Sequence, residues 1–228
     1  QAYRMRAVLF NAVQRTVDLL SGLIFRYPPN TQLPLVMESW VQDVTLAGQS
    51  LATLAKLVVN DILLTGRAGL LIDYADSAEA PFWQWYQPEM IIDWQEAVLA
   101  GRRQLVQVIL AEQHEVSGAS TTRYRQLALD KQGYYYQQWM RYEHGHWRPE
   151  GKAEYPLLNG QRLTQIPFVV IGSDGLGMSI SKPPLLDLVH MNHSHYLTSA
   201  DFEHGAHFTG LPTVVVTGHR ADHDAVYK

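Results

Sequence analysis

The chain has 228 residues, enough for one large or two small domains with a core that needs no disulfide or metal to be stable. Apolar residues make up 46% and charged residues 18%, which excludes an intrinsically disordered chain. The formal net charge of -4 argues against tight binding to DNA phosphates. Because there is no cysteine, disulfides, thiolate metal sites and cysteine nucleophiles are excluded.

The sequence predicts neither a membrane span nor a signal peptide. Its most apolar stretch is interrupted by Lys56, Asp61 and Arg67. The chain starts with Gln1, and its first ten residues lack an apolar core and a small-residue cleavage site. We therefore expect it to be a portion of a longer protein.

Two helices are predicted in the first third of the chain. Apolar residues recur every three or four positions between Arg4 and Arg26, at Leu9, Val13, Val17, Leu20 and Ile24. The two prolines at 28 and 29 should end this helix. A second helix should begin after Ser50, a favourable N-cap, and stop at Gly66.

The period then changes to two residues, which indicates strands. The predicted strands are 70–74, 82–86, 106–110 and 134–139. Short connections at 100–102 and 143–145 favour antiparallel hairpins over a parallel sheet. A further strand is predicted at 166–171, then a long helix over 184–208, and another strand from Leu211 to Thr217. The fold class is therefore α+β.

Histidines are the strongest hint of catalysis. Seven of the ten lie between His190 and His223, and four form two pairs with a spacing of three on the long helix: His190 with His193, and His204 with His207. The pairs are about 20 Å apart along the helix and lack a His-Glu-x-x-His pattern. We predict no metal and no other cofactor, with a metal-dependent hydrolase using these four histidines as an alternative.

Two other features carry weaker signals. The glycine-rich loop 172–179 lacks the lysine of a phosphate-binding loop, so we interpret it as a connector. Aromatic residues concentrate in 82–86 and 134–139, which favours core packing plus a protein interface. An aromatic-rich carbohydrate-binding or adhesion module, using Trp83 or Trp139, is the second alternative. No catalytic residue is assigned, and the chain is predicted not to be an enzyme.

Any DNA contact should be local and independent of base sequence. The candidate phosphate contacts are Arg102, Arg103, Arg123 and Arg125. With so few cations, we expect weak binding that falls steeply with salt.

Five segments, in one order along the chain, resemble phage portal (head-to-tail connector) proteins. They are 10–29, 63–74, 88–94, 166–169 and 183–218. The resemblance is closest to a subgroup often labelled only as phage proteins of unknown function. The resemblance rests on the order of the five segments, because none of them contains a catalytic motif that would be diagnostic alone.

The resemblance implies a portal-like fold in three parts. Residues 1–165 would be a wing-like α+β domain, 166–210 a strand, loop and long stem-like helix, and 211–228 the start of a clip-like segment. Portals form rings, commonly dodecamers, at the capsid vertex, through which double-stranded DNA is packaged and ejected.

Implied partners are further copies of the chain, the terminase large subunit, a capsid or scaffold protein, tail or head-completion proteins, and DNA without sequence specificity. The implied location is the virion, and the host cytoplasm during assembly, with no membrane partner.

The long helix allows residue-level predictions. At 100° per residue, five polar residues fall within a stripe of about 80°: Asp187, His190, Ser194, Thr198 and Asp201. Leu188, Met191 and Phe202 lie on one flank, and the stripe itself contains no Lys or Arg. In a ring, the stripe would face the channel and the flank would contact the next subunit.

Overall fold

The computed structural model describes residues 8–38, 40–74, 81–116 and 118–210. Contacts divide the chain into two compact units. One comprises residues 14–187. The other comprises, among the described residues, 8–13 and 188–210.

The described residues contain three α-helices. These are α1 (Ala12–Ile24), α2 (Leu51–Thr65) and α3 (Leu186–Thr209). Residues 8–11 are not helical, so the expected helix over 4–26 is shorter at its start than predicted, and residues 1–7 lie outside the described ones. Asn11, a residue type favoured before a helix, directly precedes α1. The backbone amide of Ala12 also donates to Asn192 Oδ1 at 3.3 Å.

Both predicted ends of α2 are confirmed. The Ser50 hydroxyl accepts a hydrogen bond from the Thr53 backbone amide at 3.3 Å, which satisfies one of the free amides of the first turn. Gly66 ends the helix in the left-handed conformation, with φ of 88°, and its amide donates to the Ile62 carbonyl.

The first sheet has four antiparallel strands. They are β1 (Arg67–Asp73), β2 (Phe82–Tyr86), β10 (Phe168–Gly172) and β11 (Gly175–Leu176), in the order β11-β10-β1-β2. Since β10 pairs directly with β1, residues separated by about a hundred positions become neighbours in this sheet.

The second sheet is a five-stranded antiparallel meander. Its strands are β3 (Ile91–Leu99), β4 (Arg102–Val116), β5 (Ala119–Leu129), β6 (Tyr135–Glu143) and β7 (His146–Glu154). The short connections predicted at 100–102 and 143–145 do join antiparallel strands, and Ala100 and His144 have positive φ as two-residue turns of this kind require. A small hairpin of β8 (Leu157–Leu158) and β9 (Gln161–Arg162) follows.

Residues 14–187 form three layers. Helix α2 packs on one face of the first sheet through Leu54, Val58, Ala68 and Leu70. The second sheet packs on the opposite face, where Leu71, Tyr86 and Phe168 meet residues of β4 and β5. Alternation along β1 explains this division, because Ala68 and Leu70 point to the helix while Leu71 points to the second sheet. Asp73 shares the face of Leu71, at the edge of the core.

The predicted α+β class with antiparallel sheets and a long last helix is confirmed. The helix covers 186–209 where 184–208 was predicted. The list of predicted strands was incomplete, because β3, β5, β7 and the two-residue strands β8, β9 and β11 were not predicted. The predicted strand from Leu211 to Thr217 lies outside the described residues.

Candidate functional site

The five polar residues predicted to face a channel all lie on the exposed surface of α3. Asp187, His190, Ser194, Thr198 and Asp201 are exposed. On the opposite side of the helix, Val189 and Tyr196 are half-buried and Ala200 is buried. The polar stripe is thus accessible, while its role as a channel lining stays a prediction.

The apolar flank of α3 is largely uncovered within the chain. Met191 is 71% exposed and Phe202 is 72% exposed, whereas Leu188 is half-buried. Leu197 and Phe208 are also exposed, but at 100° per residue they lie at the opposite edge of the polar stripe from Met191 and Phe202. Exposed large apolar side chains on neighbouring turns, such as Met191 and those beside it on this flank, typically mark an interaction surface.

A lysine joins the acidic end of the stripe, which the sequence did not predict. Lys182 Nζ, in the loop before α3, contacts both carboxylate oxygens of Asp187 at 2.8 Å. Both side chains are well exposed, so the pair contributes little to stability. The ion pair places the positive charge of Lys182 beside Asp187, the first residue of the polar stripe.

The helix histidines do not form a metal centre in the described residues. No group of three or more His, Asp or Glu side chains there could hold a metal ion. His204 and His207 instead pack their rings edge-on against Phe208, at 4.7 and 5.7 Å between centroids. His219 and His223 lie outside the described part of the chain.

A buried polar network joins the two sheets. Arg125 of β5, which is 8% exposed, donates to Asp73 Oδ2 at 2.6 Å and lies 3.5 Å from Glu112 Oε1. Its other terminal nitrogen donates to the side-chain carbonyl of Gln137. The hydroxyl of Tyr86 donates to Glu112 at 2.7 Å.

Three groups of this network have raised pKa values: Arg125, Tyr86 and Tyr135. Burial lowers the pKa of Arg125, but the hydrogen bond and charge of Asp73 outweigh this, so the pKa lies above its usual range. Burial also raises the pKa of Tyr86 and Tyr135, and nearby carboxylates raise it further. Near neutral pH, Arg125 therefore stays charged and both phenols stay neutral.

The burial of Arg125 corrects one part of the DNA prediction. A guanidinium held by Asp73 and Gln137 inside the protein cannot reach a phosphate. Arg123 is half-buried, with its guanidinium 4.0 Å from the centre of the Trp139 ring. Arg102 and Arg103, at the start of β4, are exposed and stay available.

A cleft of about 1030 Å³ opens beside the network. Asp73, Tyr135, Gln137 and Glu154 form its polar wall, and Gln137 Nε2 donates to Glu154 Oε2 at 3.1 Å. The remaining walls are mostly Tyr, Leu and Pro side chains. Among the described residues that line the cleft, two are carboxylates and none is Lys, Arg or His. Because Asp73 is already paired with Arg125, Glu154 is the carboxylate of this wall that can meet a positively charged group, and the other walls suit apolar groups beside that charge.

Asp61 is a second perturbed group, on α2. Trp85 Nε1 donates to Asp61 Oδ2 at 2.9 Å. Burial raises the pKa of Asp61 to about 6, while the Trp85 hydrogen bond lowers it and the charge of Glu89 raises it. Because this pair joins α2 to β2 within the core, its arrangement indicates a structural contact.

The aromatic runs are largely engaged inside the chain. Trp83 packs edge-on against Trp40 at 5.4 Å, and Trp147 packs against both Tyr124 and Tyr142. Trp139 is covered on one face by Arg123. These contacts account for part of the aromatic content as packing.

Comparison with known protein families gives a match to the end of the chain. Residues 184–227 match a family described as a domain of unknown function (DUF4055). The matched stretch contains α3 and continues past the described residues. No curated protein matches the chain. Among the described helices, none is both long and apolar enough to cross a membrane.

Sequence reasoning missed the cleft and its polar network. Asp73, Glu112, Arg125 and Glu154 are spread over 82 positions, and no local pattern links them. One signal was present: Arg125 interrupts a strand otherwise leading into the buried residues 127 and 128, and a charge there needs a partner.

Proposed function

We propose that the chain is a subunit of a phage portal, a ring at the capsid vertex through which double-stranded DNA is packaged and ejected. It would act as a passage and an assembly platform, docking the terminase and the tail, and would have no catalytic site. Its stem-like part would be α3, and residues 1–165 would form the wing-like part.

One observation carries this proposal beyond the resemblance of the sequence. Helix α3 has an exposed polar stripe and, beside it, the exposed apolar side chains of Met191 and Phe202. A helix between two neighbours in a ring, with one face toward an aqueous channel, needs this combination. The family match over 184–227 supports treating the helix and the residues after it as a unit that recurs in other proteins.

Charge substitutions on the apolar flank test the proposal. We expect Met191→Asp and Phe202→Asp each to abolish rings, because each would bury an unpaired carboxylate between subunits. Mass photometry and negative-stain microscopy of the purified protein would measure ring formation.

The matched control is Val98→Asp, which makes the same apolar-to-carboxylate change at a position of β3 that is 70% exposed and lies outside α3. This variant should assemble like the wild type. Rings that persist in both apolar variants, or a wild-type protein that never forms rings, would contradict the proposal.

A further inference from the structure

The cleft has a composition that selects for a particular kind of ligand. Tyr74, Tyr155, Leu157 and Leu158 each expose more than a third of their surface around it. Glu154 is exposed at its polar wall, where its Oε2 accepts a hydrogen bond from Gln137. An arginine followed by aromatic and proline residues would match both the carboxylate and the apolar walls.

The chain itself carries such a segment, which we call the arm: residues 26–34, between α1 and the short helix Leu35–Met37. It has no regular secondary structure, and every residue except Leu33 is exposed. Its sequence is Arg-Tyr-Pro-Pro-Asn-Thr-Gln-Leu-Pro. Tyr27 is 73% exposed, and the Arg26 guanidinium lies 5.6 Å from the Tyr27 ring centre.

The arm is prepared for binding in an extended form. Its three prolines restrict the backbone and lack amide donors, so less conformational entropy is lost when it docks. Nine extended residues have a length of about 28 Å, and since both ends continue into the chain, the arm can project about half of that toward a neighbouring molecule. Across the described chain, no ion pair involves Arg26.

We propose that the cleft binds the arm of a second copy of this chain, with Arg26 at Glu154 and the Tyr27-Pro28-Pro29 segment against the tyrosines and leucines. The cleft and the arm are different surfaces of one molecule, so the contact is head-to-tail and closes into a ring when the rotation permits. The inference deepens the proposed function by naming a contact between neighbouring subunits, and it rests on that function only for the closed ring.

Peptide binding tests the cleft directly. The probe is a synthetic peptide of the arm, residues 26–34, titrated into the intact chain by calorimetry. We expect saturable one-to-one binding that weakens about tenfold or more for Glu154→Lys or for the peptide with Arg26→Glu. Glu115→Lys, which makes the same charge change at an exposed site on β4 outside the cleft, should bind like the wild type.

Charge reversal tests whether a second copy is the occupant. Sedimentation velocity over a concentration series should show self-association of the wild type, weakened in Arg26→Glu and in Glu154→Arg and restored when both are combined. Arg102→Glu, at the exposed end of β4, is the control for loss of a positive charge and should associate normally.

The proposal is overturned if the peptide does not bind, if it binds Glu154→Lys as well as wild type, or if the double variant fails to restore association. Its failure is distinguishable from that of the proposed function. If rings form and the charge reversal does not change them, the portal proposal is supported and this contact is contradicted. If the peptide binds and the double variant restores association but no rings form, the contact is supported and the portal proposal is contradicted.

Discussion

Arg125 joins the two sheets through an ion pair and hydrogen bonds. It pairs with Asp73 from the first sheet while Glu112 and Gln137 surround it from the second. Removing it leaves two carboxylates in a mostly buried site with no cation to offset them. A buried ion pair broken from one side costs more than the pair contributes when intact.

We expect Arg125→Met to lower the free energy of unfolding by about 3 to 5 kcal/mol. Equilibrium urea unfolding would measure it. Arg141→Met is the matched control, because Arg141 also contacts two carboxylates but on the surface, and its loss should have a much smaller effect. Adding Asp73→Asn to Arg125→Met should recover part of the lost free energy of unfolding. Equal losses for Arg125→Met and Arg141→Met would show that the network does not stabilise the junction.

Asp61 gives a pH dependence whose sign follows from its pKa. Burial raises this pKa from 3.8 to about 6. Between about pH 4 and pH 6 the folded protein therefore keeps a proton on Asp61 that the unfolded chain has already released. The contribution of Asp61 to stability is therefore fully present below pH 4 and is lost as the pH rises to about 6. Because the side chain is about half buried, solvent screening keeps the effect modest.

Asp61→Asn mimics the protonated carboxyl and can still accept the hydrogen bond from Trp85. We expect it to be more stable than wild type at pH 7 and equal to it near pH 3.5, as measured by urea midpoints at both values. Asp43→Asn, in an exposed loop, should not show this difference. An Asn variant that is less stable at pH 7 would mean that the charged form is the favoured one.

At the scale of elements, Gly66 determines how α2 turns into β1. Its φ of 88° is left-handed, and a Cβ there would lie 3.1 Å from the Ser181 carbonyl oxygen. Both facts oppose any side chain at this position.

We expect Gly66→Ala to destabilise the protein by about 1 to 2 kcal/mol. Gly22→Ala provides the opposite control, because Gly22 lies within α1 with open space around it, and alanine should stabilise a helix there by roughly 0.5 to 1 kcal/mol. Thermal unfolding of the two variants should shift in opposite directions. A neutral Gly66→Ala would show that the backbone relaxes at this junction.

The elements predicted correctly are those in which buried and exposed residues alternate, or buried residues recur every three or four positions, within the element itself. Strand β2 was predicted with the same bounds, because Trp83 and Trp85 face α2 while Tyr86 faces the other sheet. The long helix was predicted within two residues, since Pro183 and Pro184 mark its beginning in the sequence.

The missed strands lack that local signal. All but one residue of β7 is exposed, and the strand contains Pro149 and Gly151, which disfavour a strand when judged alone. The first four residues of strand β5 are exposed, and its first buried residue is the charged Arg125. Their pairing to β6 fixes them as strands, and such pairing is not visible in a local pattern. The same holds for the cleft, whose carboxylates meet only through the sheets.

At the scale of the whole molecule, charge should decide how DNA interacts with the protein. The net charge is -4, Arg125 is buried and Lys182 is paired with Asp187. Asp201 lies roughly four turns beyond Asp187 on the polar stripe of α3, at an exposed position. In the proposed ring, Asp201 would repeat once per subunit along the path of the phosphates.

We expect Asp201→Lys to leave rings intact and to reduce the DNA packaged per particle severalfold, because a ring of lysines would bind the phosphates that must slide past. Asp201→Asn separates this effect from the loss of the contacts Asp201 makes in the folded chain, and it should package normally. Nuclease-protected DNA per particle is the measurement, with ring formation checked by microscopy. A new cation in the path of the DNA should slow it, and the effect should be larger at low salt. If the lysine variant packages DNA normally, position 201 does not face the channel, and another face of α3 does.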